Sequence, residues 1–375
     1  MPKDTRILVA GEKGMRRGIV VTIAVAIAAI AGLASLQRQA GTIMLAAALD
    51  QRAGLDRTAA LADGLHVGLC GTGSPLPDPA RAGACTVIIA GKQIFVVDSG
   101  DGGARNIALM GIPNGRIHGV FLTHFHSDHI DGLGPMMLLR WTGNAATSPL
   151  PIYGPPGVDR VVAGFDTAYA LDSGYRTAHH GAAIAPPSGA GGVARPFAIP
   201  PRGSNDSVVV FEREGLRVSA FRVDHGPVDP AVGYRFDYKG RSVVVSGDTT
   251  ASSALVAAAR GADLLVHEGL QPELVKLMTA TLTRRGIAGT AQITRDILSY
   301  HASPETVARE AQAAGVHFVV FSHVIPQMPS RMMYPAFLGD ARRLYEGPIL
   351  VGEDGMMFSL LPGSRGVDFT RLPIG

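Results

Sequence analysis

The stretch that most constrains this chain is Val120-Phe121-Leu122-Thr123-His124-Phe125-His126-Ser127-Asp128-His129-Ile130-Asp131-Gly132. An apolar run ends there on four side chains able to bind a metal. His124 and His126 are two positions apart, so in extended backbone they point to the same side and can close on one ion. Asp128 and His129 are adjacent, diverge, and can serve a second ion beside the first. A His-rich surface loop or a polar helix cap would carry the same residues, so the metal reading depends on whether other ligands converge here.

Three further segments share one design, a β-branched run that stops on a possible ligand. The run 216–223 leads into Asp224-His225, the run 241–246 into Gly247-Asp248, and the run 318–322 into His323. In layered α/β structures ligands gather where strand ends meet, so residues far apart in the chain can share one pocket. His124, His126 and His225 would give three nitrogens to one ion. Asp128, His129 and His323 would hold a second, with Asp248 as the bridge. Imidazole and carboxylate without thiolate suit zinc, with manganese or iron as alternatives. Two ions about 3.5–4 Å apart can share a hydroxide, lower its pKa and offset charge on the attacking and leaving oxygens. The set therefore predicts a binuclear zinc hydrolase.

With Gly71-Thr72-Gly73, Val97-Asp98-Ser99-Gly100, Tyr153-Gly154-Pro155, Gly233-Tyr234, Ser246-Gly247-Asp248-Thr249, His267-Glu268, His301 and Ser322-His323, these motifs resemble the metallo-β-lactamase superfamily, and within it the ribonuclease Z and arylsulfatase-like branch. The resemblance covers the chain from near residue 65 to near residue 360. It implies an α/β fold, the αββα sandwich, in which two mixed sheets pack face to face with helices outside. The metal motif is specific for the superfamily and not for the substrate, because one scaffold hosts many hydrolases. In ribonuclease Z-like enzymes a glutamate and a histidine beside the metals serve the leaving group. Glu268 and His301 match them, which implies that a protonated His301 held by Glu268 donates to a departing alkoxide. The competing reading of His301 is a cap for the helix Pro304 to Ala314. Asp128 would orient the attacking hydroxide besides binding metal, and Asp98, at a strand end beside glycine, reads as a structural acceptor for loop backbone.

One departure from the family pattern bears on substrate. Bacterial ribonuclease Z carries a long basic arm that grips transfer RNA between the strand after Gly-Tyr and the Ser-Gly-Asp-Thr motif. Here 233–240 runs straight into 241–248, which leaves no room for it. Thirty-four Lys and Arg against 31 Asp and Glu give a net charge of only +3, and no basic stripe of the kind that tracks phosphates is visible. A nucleic-acid partner is accordingly not expected. The extra length lies at 158–206, read as a lid over a small-molecule pocket, with Tyr175, Arg176, His179 and His180 as candidate substrate contacts. His179 and His180 could equally complement the negative end of their helix. His66, His118 and His317 read as fold residues, His267 as a support behind the metals, and Trp141 as core or pocket wall.

The N-terminus reads separately. Lys13, Arg16 and Arg17 precede 18–36, a run without charge that is long enough to span a bilayer. We read 1–37 as a basic region and signal anchor, 38–64 as a helical stalk, and 65–375 as the hydrolase domain. With the basic residues inside, the domain would face the periplasm of a Gram-negative cell, anchored to the inner membrane, or be released there after signal cleavage. Cys70 and Cys85 could pair in such an oxidising compartment or stay as buried thiols. The expected function is hydrolysis of a small, anionic ester, a phosphodiester or sulfate ester. A lactonase or other carboxyl-ester hydrolase and a ribonuclease Z-like endonuclease are the enzymatic alternatives, and a metal-binding envelope protein is the non-enzymatic one. A homodimer is compatible with all of these.

Overall fold

The computed structural model describes residues 6–374, with side chains from residue 15 onward, so Lys13 lies outside the described side chains. Two compact units divide near residue 55. The first is one unbroken helix, Arg6–Arg52, of 47 residues, long and apolar enough from Met15 onward to cross a membrane. The expected stalk to residue 64 is shorter than the sequence suggested. The helix stops at Arg52, and from Asp56 the chain belongs to the second unit. There Arg57 N–H donates to the Gly111 carbonyl at 2.9 Å, and Asp56 pairs with Arg116 at 2.7 Å. The helical pattern continues past Arg52 in composition, but these long-range bonds take the backbone instead.

The second unit is built on fifteen strands: β1 Leu65–Gly71, β2 Cys85–Ala90, β3 Gln93–Val97, β4 Ile117–Phe121, β5 Leu150–Gly154, β6 Gly192–Pro196, β7 Ser207–Arg213, β8 Leu216–Arg222, β9 Val232–Tyr238, β10 Arg241–Val245, β11 Leu264–Leu270, β12 Val319–Ile325, β13 Ile349–Val351, β14 Met356–Leu360 and β15 Asp368–Arg371. One sheet of eight runs β15-β14-β1-β2-β3-β4-β5-β6, and a sheet of seven runs β13-β12-β11-β10-β9-β8-β7. Both are mixed, parallel from β3 to β6 and from β10 to β13, antiparallel elsewhere.

Alternation along the strands explains the layering. On β10, Val243 and Val245 join the core between the sheets, while Val244 faces the helices outside. On β2, Ile88 turns inward, and Val87 and Ile89 turn to the helices covering the other sheet. A strand buried on both faces needs apolar side chains on both, hence the continuous β-branched runs. Phe121 centres the inner layer, its ring 4.7 Å from Tyr153, 5.3 Å from Tyr234 and 5.5 Å from Phe236. Cys70 and Cys85, on neighbouring strands β1 and β2, form a disulfide.

Two further expectations change. The segment 181–206 is not a bare loop, because it contributes edge strand β6, paired in parallel with β5. With the helix Val158–His180 it makes a β-α-β crossover packed outside the larger sheet, and so it is not a lid. The β9–β10 connection is a two-residue turn at Lys239-Gly240, both at positive φ, 49° and 77°, the backbone that such a tight hairpin requires. At the head of β10, the buried Arg241 donates to the carbonyls of Leu361, Ser364 and Gly366 and pairs with Asp263 at 3.1 Å.

Candidate metal centre

The ends of β4, β8, β10 and β12 meet on one edge of the sandwich. The loop after β4 is held against the loop after β3 by Ser99 N–H donating to the His129 carbonyl and Gly132 N–H donating to the Ser99 carbonyl, both at 2.8 Å. Glycine makes this approach possible, since a Cβ on Gly100 would stand 2.2 Å from the Asp128 carbonyl oxygen. The short helix Ser127–Ile130 then turns Asp128 and His129 inward.

Two donor groups result, each with its donor atoms within 4.8 Å of one another: His124, His126, His225 and Asp248, and Asp128, His129 and His323. All seven expected ligands are thus brought together. In the first group the Nδ1 of His126 lies 3.0 Å from Nε2 of His124 and 3.3 Å from Nε2 of His225. In the second, Nε2 of His323 lies 3.0 Å from Oδ2 of Asp128. Oδ2 of Asp248 stands between the groups, 3.9 Å from His124 and His225 and 3.4 Å from His129 and His323.

These side chains are oriented from behind. His129 Nδ1 donates to Asp98 Oδ2 at 2.8 Å. His124 Nδ1 meets Thr123 Oγ1, which itself donates to Asp98 Oδ2, and His225 Nδ1 donates to the Tyr300 carbonyl at 2.9 Å. With Nδ1 so engaged, Nε2 of each ring is the nitrogen turned toward the centre, as in a ligating imidazole. Asp98 accepts from Thr123 N–H as its expected structural role requires, and it also fixes two of the rings, a function that its place at a strand end did not announce.

The donor set fits a cation. Three imidazole nitrogens at such spacing need a proton or a cation between them, and Nε2 of His129 and Oδ1 of Asp248 are buried without a partner. Burial would discharge His129, but the carboxylates of Asp248, Asp128 and Asp98 outweigh it and push the ring well above the usual histidine range. His124, buried alike, beside His129 and with Asp248 as its nearby carboxylate, lies well below that range. Burial would raise Asp248, yet His323 and His129 hold it well below the usual carboxylate range. Imidazole and carboxylate donors without sulfur suit zinc, manganese or iron.

His323 and Glu268 lie within their strands rather than after them. The β11–β12 register shifts between His267 and Gly269, and His323 takes φ +47°. An irregularity of this kind re-aims a side chain that regular pairing would send elsewhere. His301 stands beside both groups, its ring 5.2 Å from His225 and 5.6 Å from His323, and with Asp248 and His323 it forms a third potential donor set. Its Nδ1 lies 3.2 Å from Glu268 Oε1 without a hydrogen bond among the described residues, and that oxygen accepts from Ala302 N–H at 2.8 Å. The capping reading of His301 fails, since Ser303 caps the helix Pro304–Ala314 by accepting from Thr306 N–H.

Over the donors lies a cavity of about 260 Å³, walled by 74–76 and by residues between Ile293 and His301. None of Tyr175, Arg176, His179 and His180 lines it, which corrects their assignment as substrate contacts. They sit on the crossover helix, where Arg176 pairs with Asp172 at 2.7 Å. His66 bonds Ser359 and the Ala62 carbonyl, His118 accepts from Ile94 N–H, and His317 lies 3.3 Å from Asp263. Trp141 is core, its Nε1 donating to the Pro186 carbonyl. His267 is buried, with Nδ1 donating to the Glu268 carbonyl.

Residues 78–287 match the family model of the metallo-beta-lactamase superfamily. The chain belongs to that superfamily. The ribonuclease Z of Mycobacterium avium is 37% identical over 292 residues, 77% of this chain and 96% of the relative. Among solved structures, the metallo-beta-lactamase fold protein YhfI of Bacillus subtilis superposes with TM-score 0.55 at 18% identity, over 80% of this chain and all of that one. The short form of human tRNase Z gives 0.55 at 22% identity, over 78% and 98%. The two structures establish the sandwich, and the closer sequence relationship makes this superfamily member a metal-dependent hydrolase. It also stands against the expectation that nucleic acid is not a partner, because relatives matched over nearly their whole length are named as ribonucleases. The small net charge and short hairpin do not exclude RNA.

Proposed function

We propose that this metallo-β-lactamase superfamily hydrolase cuts phosphodiester bonds of RNA in the manner of ribonuclease Z, and that its donor groups hold two zinc ions. The observation that carries the reading is the 37% identity to ribonuclease Z over 96% of that protein. The position of His301 supports it. When bound, the metal supplies Lewis acidity and a lowered pKa for water. Asp98 and Thr123 set the tautomers of His129 and His124, and the Tyr300 carbonyl sets that of His225. Asp128, with Oδ2 beside His323, orients the attacking water. Glu268 Oε1 lies 3.2 Å from His301 Nδ1, so Nδ1 faces the carboxylate, and Nε2 is the nitrogen left to donate a proton to the leaving oxygen.

A small phosphodiester is the second reading, favoured by the two-residue turn at Lys239-Gly240 and by a cavity of about 260 Å³. A sulfate ester and a lactone follow in that order. We also place the domain outside the cytoplasm on the Arg6–Arg52 helix, a reading supported by that helix's apolar length and by the Cys70–Cys85 disulfide. Recovery of full-length protein in the soluble cytoplasmic fraction would overturn that placement. For the reaction, a transfer-RNA precursor, bis(4-nitrophenyl) phosphate, an aryl sulfate and an acyl lactone are compared with and without chelator. Cleavage of the precursor and the aryl phosphodiester, abolished by chelator, is expected. Turnover of sulfate or lactone alone overturns the phosphodiester assignment, and bound zinc without turnover of any ester points to a binding protein.

A further inference from the structure

The cavity over the donor groups has a wall that bond cleavage does not require. His126, Asp128, Asp248, His301 and His323 lie at its floor, while Leu76, Ile293, Ile297, Tyr300 and Ile325 form an apolar side. The floor groups and His301 supply every charge in its lining. Thr294 in the same wall has its hydroxyl engaged, donating to the Ala291 carbonyl at 3.0 Å and accepting from Thr279 Oγ1 at 2.8 Å. Ser74 differs. It is buried, its hydroxyl has no partner among the described residues, and it lies at the rim.

Across that rim lies a second cavity of about 710 Å³, which shares Ser74, Pro75, Leu76, Ser127 and Asp128 with the first. Its lining is charged, with Asp101, Asp131 and Arg105 among it. A bond held at the donor groups therefore has an apolar flank on one side and a charged flank on the other. The apolar side has room for a substrate group, since a cavity of about 260 Å³ accepts one ring and its linking oxygen.

We propose that the apolar cavity is a subsite for a single aromatic ring carried by the ester, with Ile293, Ile297 and Tyr300 determining that preference. The bond to be cut is taken from the phosphodiesterase reading above, but the ring subsite rests on the cavity itself. The ring is the base of a nucleotide or a simple aryl group, and the two sources share this chemistry.

The test is calorimetric binding to the zinc-loaded full chain, which needs no turnover. Phenylphosphonate is expected to bind at least about tenfold more tightly than methylphosphonate, the discrimination a hydrophobic pocket gives for a few carbons. Ile293 is 55% exposed, so its replacement leaves the fold intact. Ile293→Asp, which charges the wall, and Ile293→Trp, which fills the cavity, should each bring the ratio toward one. Adenosine monophosphate binding more tightly than phenylphosphonate assigns the ring to a nucleotide base, and the reverse order assigns it to a small aryl ester. Equal affinity for the phenyl and methyl compounds, no binding of either, or a ratio unmoved by both substitutions overturns the subsite. Absence of phosphodiester turnover alongside an intact ratio would instead remove the reaction assignment and leave the subsite standing.

Discussion

The crossover helix Val158–His180 and the segment from Pro272 to His301 are both helical excursions that leave strands near the donor cluster, and only the second reaches it. The crossover joins β5 to its parallel neighbour β6, so the helix must run back to where β6 can start. The helix starts near the ligands, with Gly157 just before it against Phe125, and its C-terminal half, with Tyr175, His179 and His180, runs away from them toward the start of β6. The second segment leaves β11 at Leu270 and folds into two antiparallel helices, Pro272–Arg284 and Ala288–Asp296. It returns to the same edge at His301 before the helix Pro304–Ala314 makes the crossover to β12. Polar residues on an excursion reach a strand-end site when the chain doubles back, and not when it crosses over.

The donor cluster sets the upper bound for any test of this contrast. Asp248→Asn weakens the oxygen shared by both groups and should lower zinc content and turnover by at least about a hundredfold, because even partners behind a ligand are worth 10–100-fold. Wild-type zinc content in this variant, measured by elemental analysis, would refute the shared role. Within the returning segment, His301→Ala should cut turnover of alkoxide-leaving phosphodiesters by about 10²–10⁴-fold, with a smaller loss on nitrophenyl esters and unchanged zinc. Equal loss on both substrates would count against proton donation.

Within the crossover, effects should be confined to stability. Burial raises the pKa of Asp166, against the Gly192 N–H that its Oδ1 accepts at 2.9 Å. A carboxyl raised on folding favours the native state below its unfolded pKa, near 3.8, and that advantage is lost as pH rises through the folded value. Asp166→Asn keeps the acceptor and removes the charge, so it should raise Tm at pH 7 by no more than about 2–4 °C, with no gain below pH 3.8. A matching change in kcat/KM would show that the crossover does communicate with the site. Smallest of all, replacing Tyr175, His179 and His180 together by Ala should leave kcat/KM within about twofold, since surface changes away from special features have little effect. A tenfold loss there would restore the lid.

Much of the site was legible because strand ends advertise themselves. A run such as Arg241–Val245 followed by Gly-Asp announces both a strand and what it delivers, and the three such runs with the 124–129 motif name all seven side chains that the fold brings together. What the sequence hid was long-range or irregular. The second role of Asp98 depends on a loop from another strand meeting it, and the aim of His323 depends on a register shift between β11 and β12. The apolar wall of the cavity comes from Ile293 and Ile297, which in sequence look like the buried stripe of an ordinary amphipathic helix. The crossover was misread because Gly, Pro and Ala in 181–206 suggested a loop, whereas parallel pairing with β5 imposes a strand on a sequence with little β propensity.

The anchoring of Arg241 has one more consequence. Its guanidinium, at the head of the strand that delivers Asp248, is held by carbonyls of the last fifteen residues, at 361, 364 and 366. Trimming the chain back to Leu360 would strand a buried cation with only Asp263 for company, which is a defect of the interior and not of the periphery. A protease acting on this tail would loosen the very strand that carries the shared carboxylate, so that the intactness of the chain's end and the competence of its catalytic edge are one property.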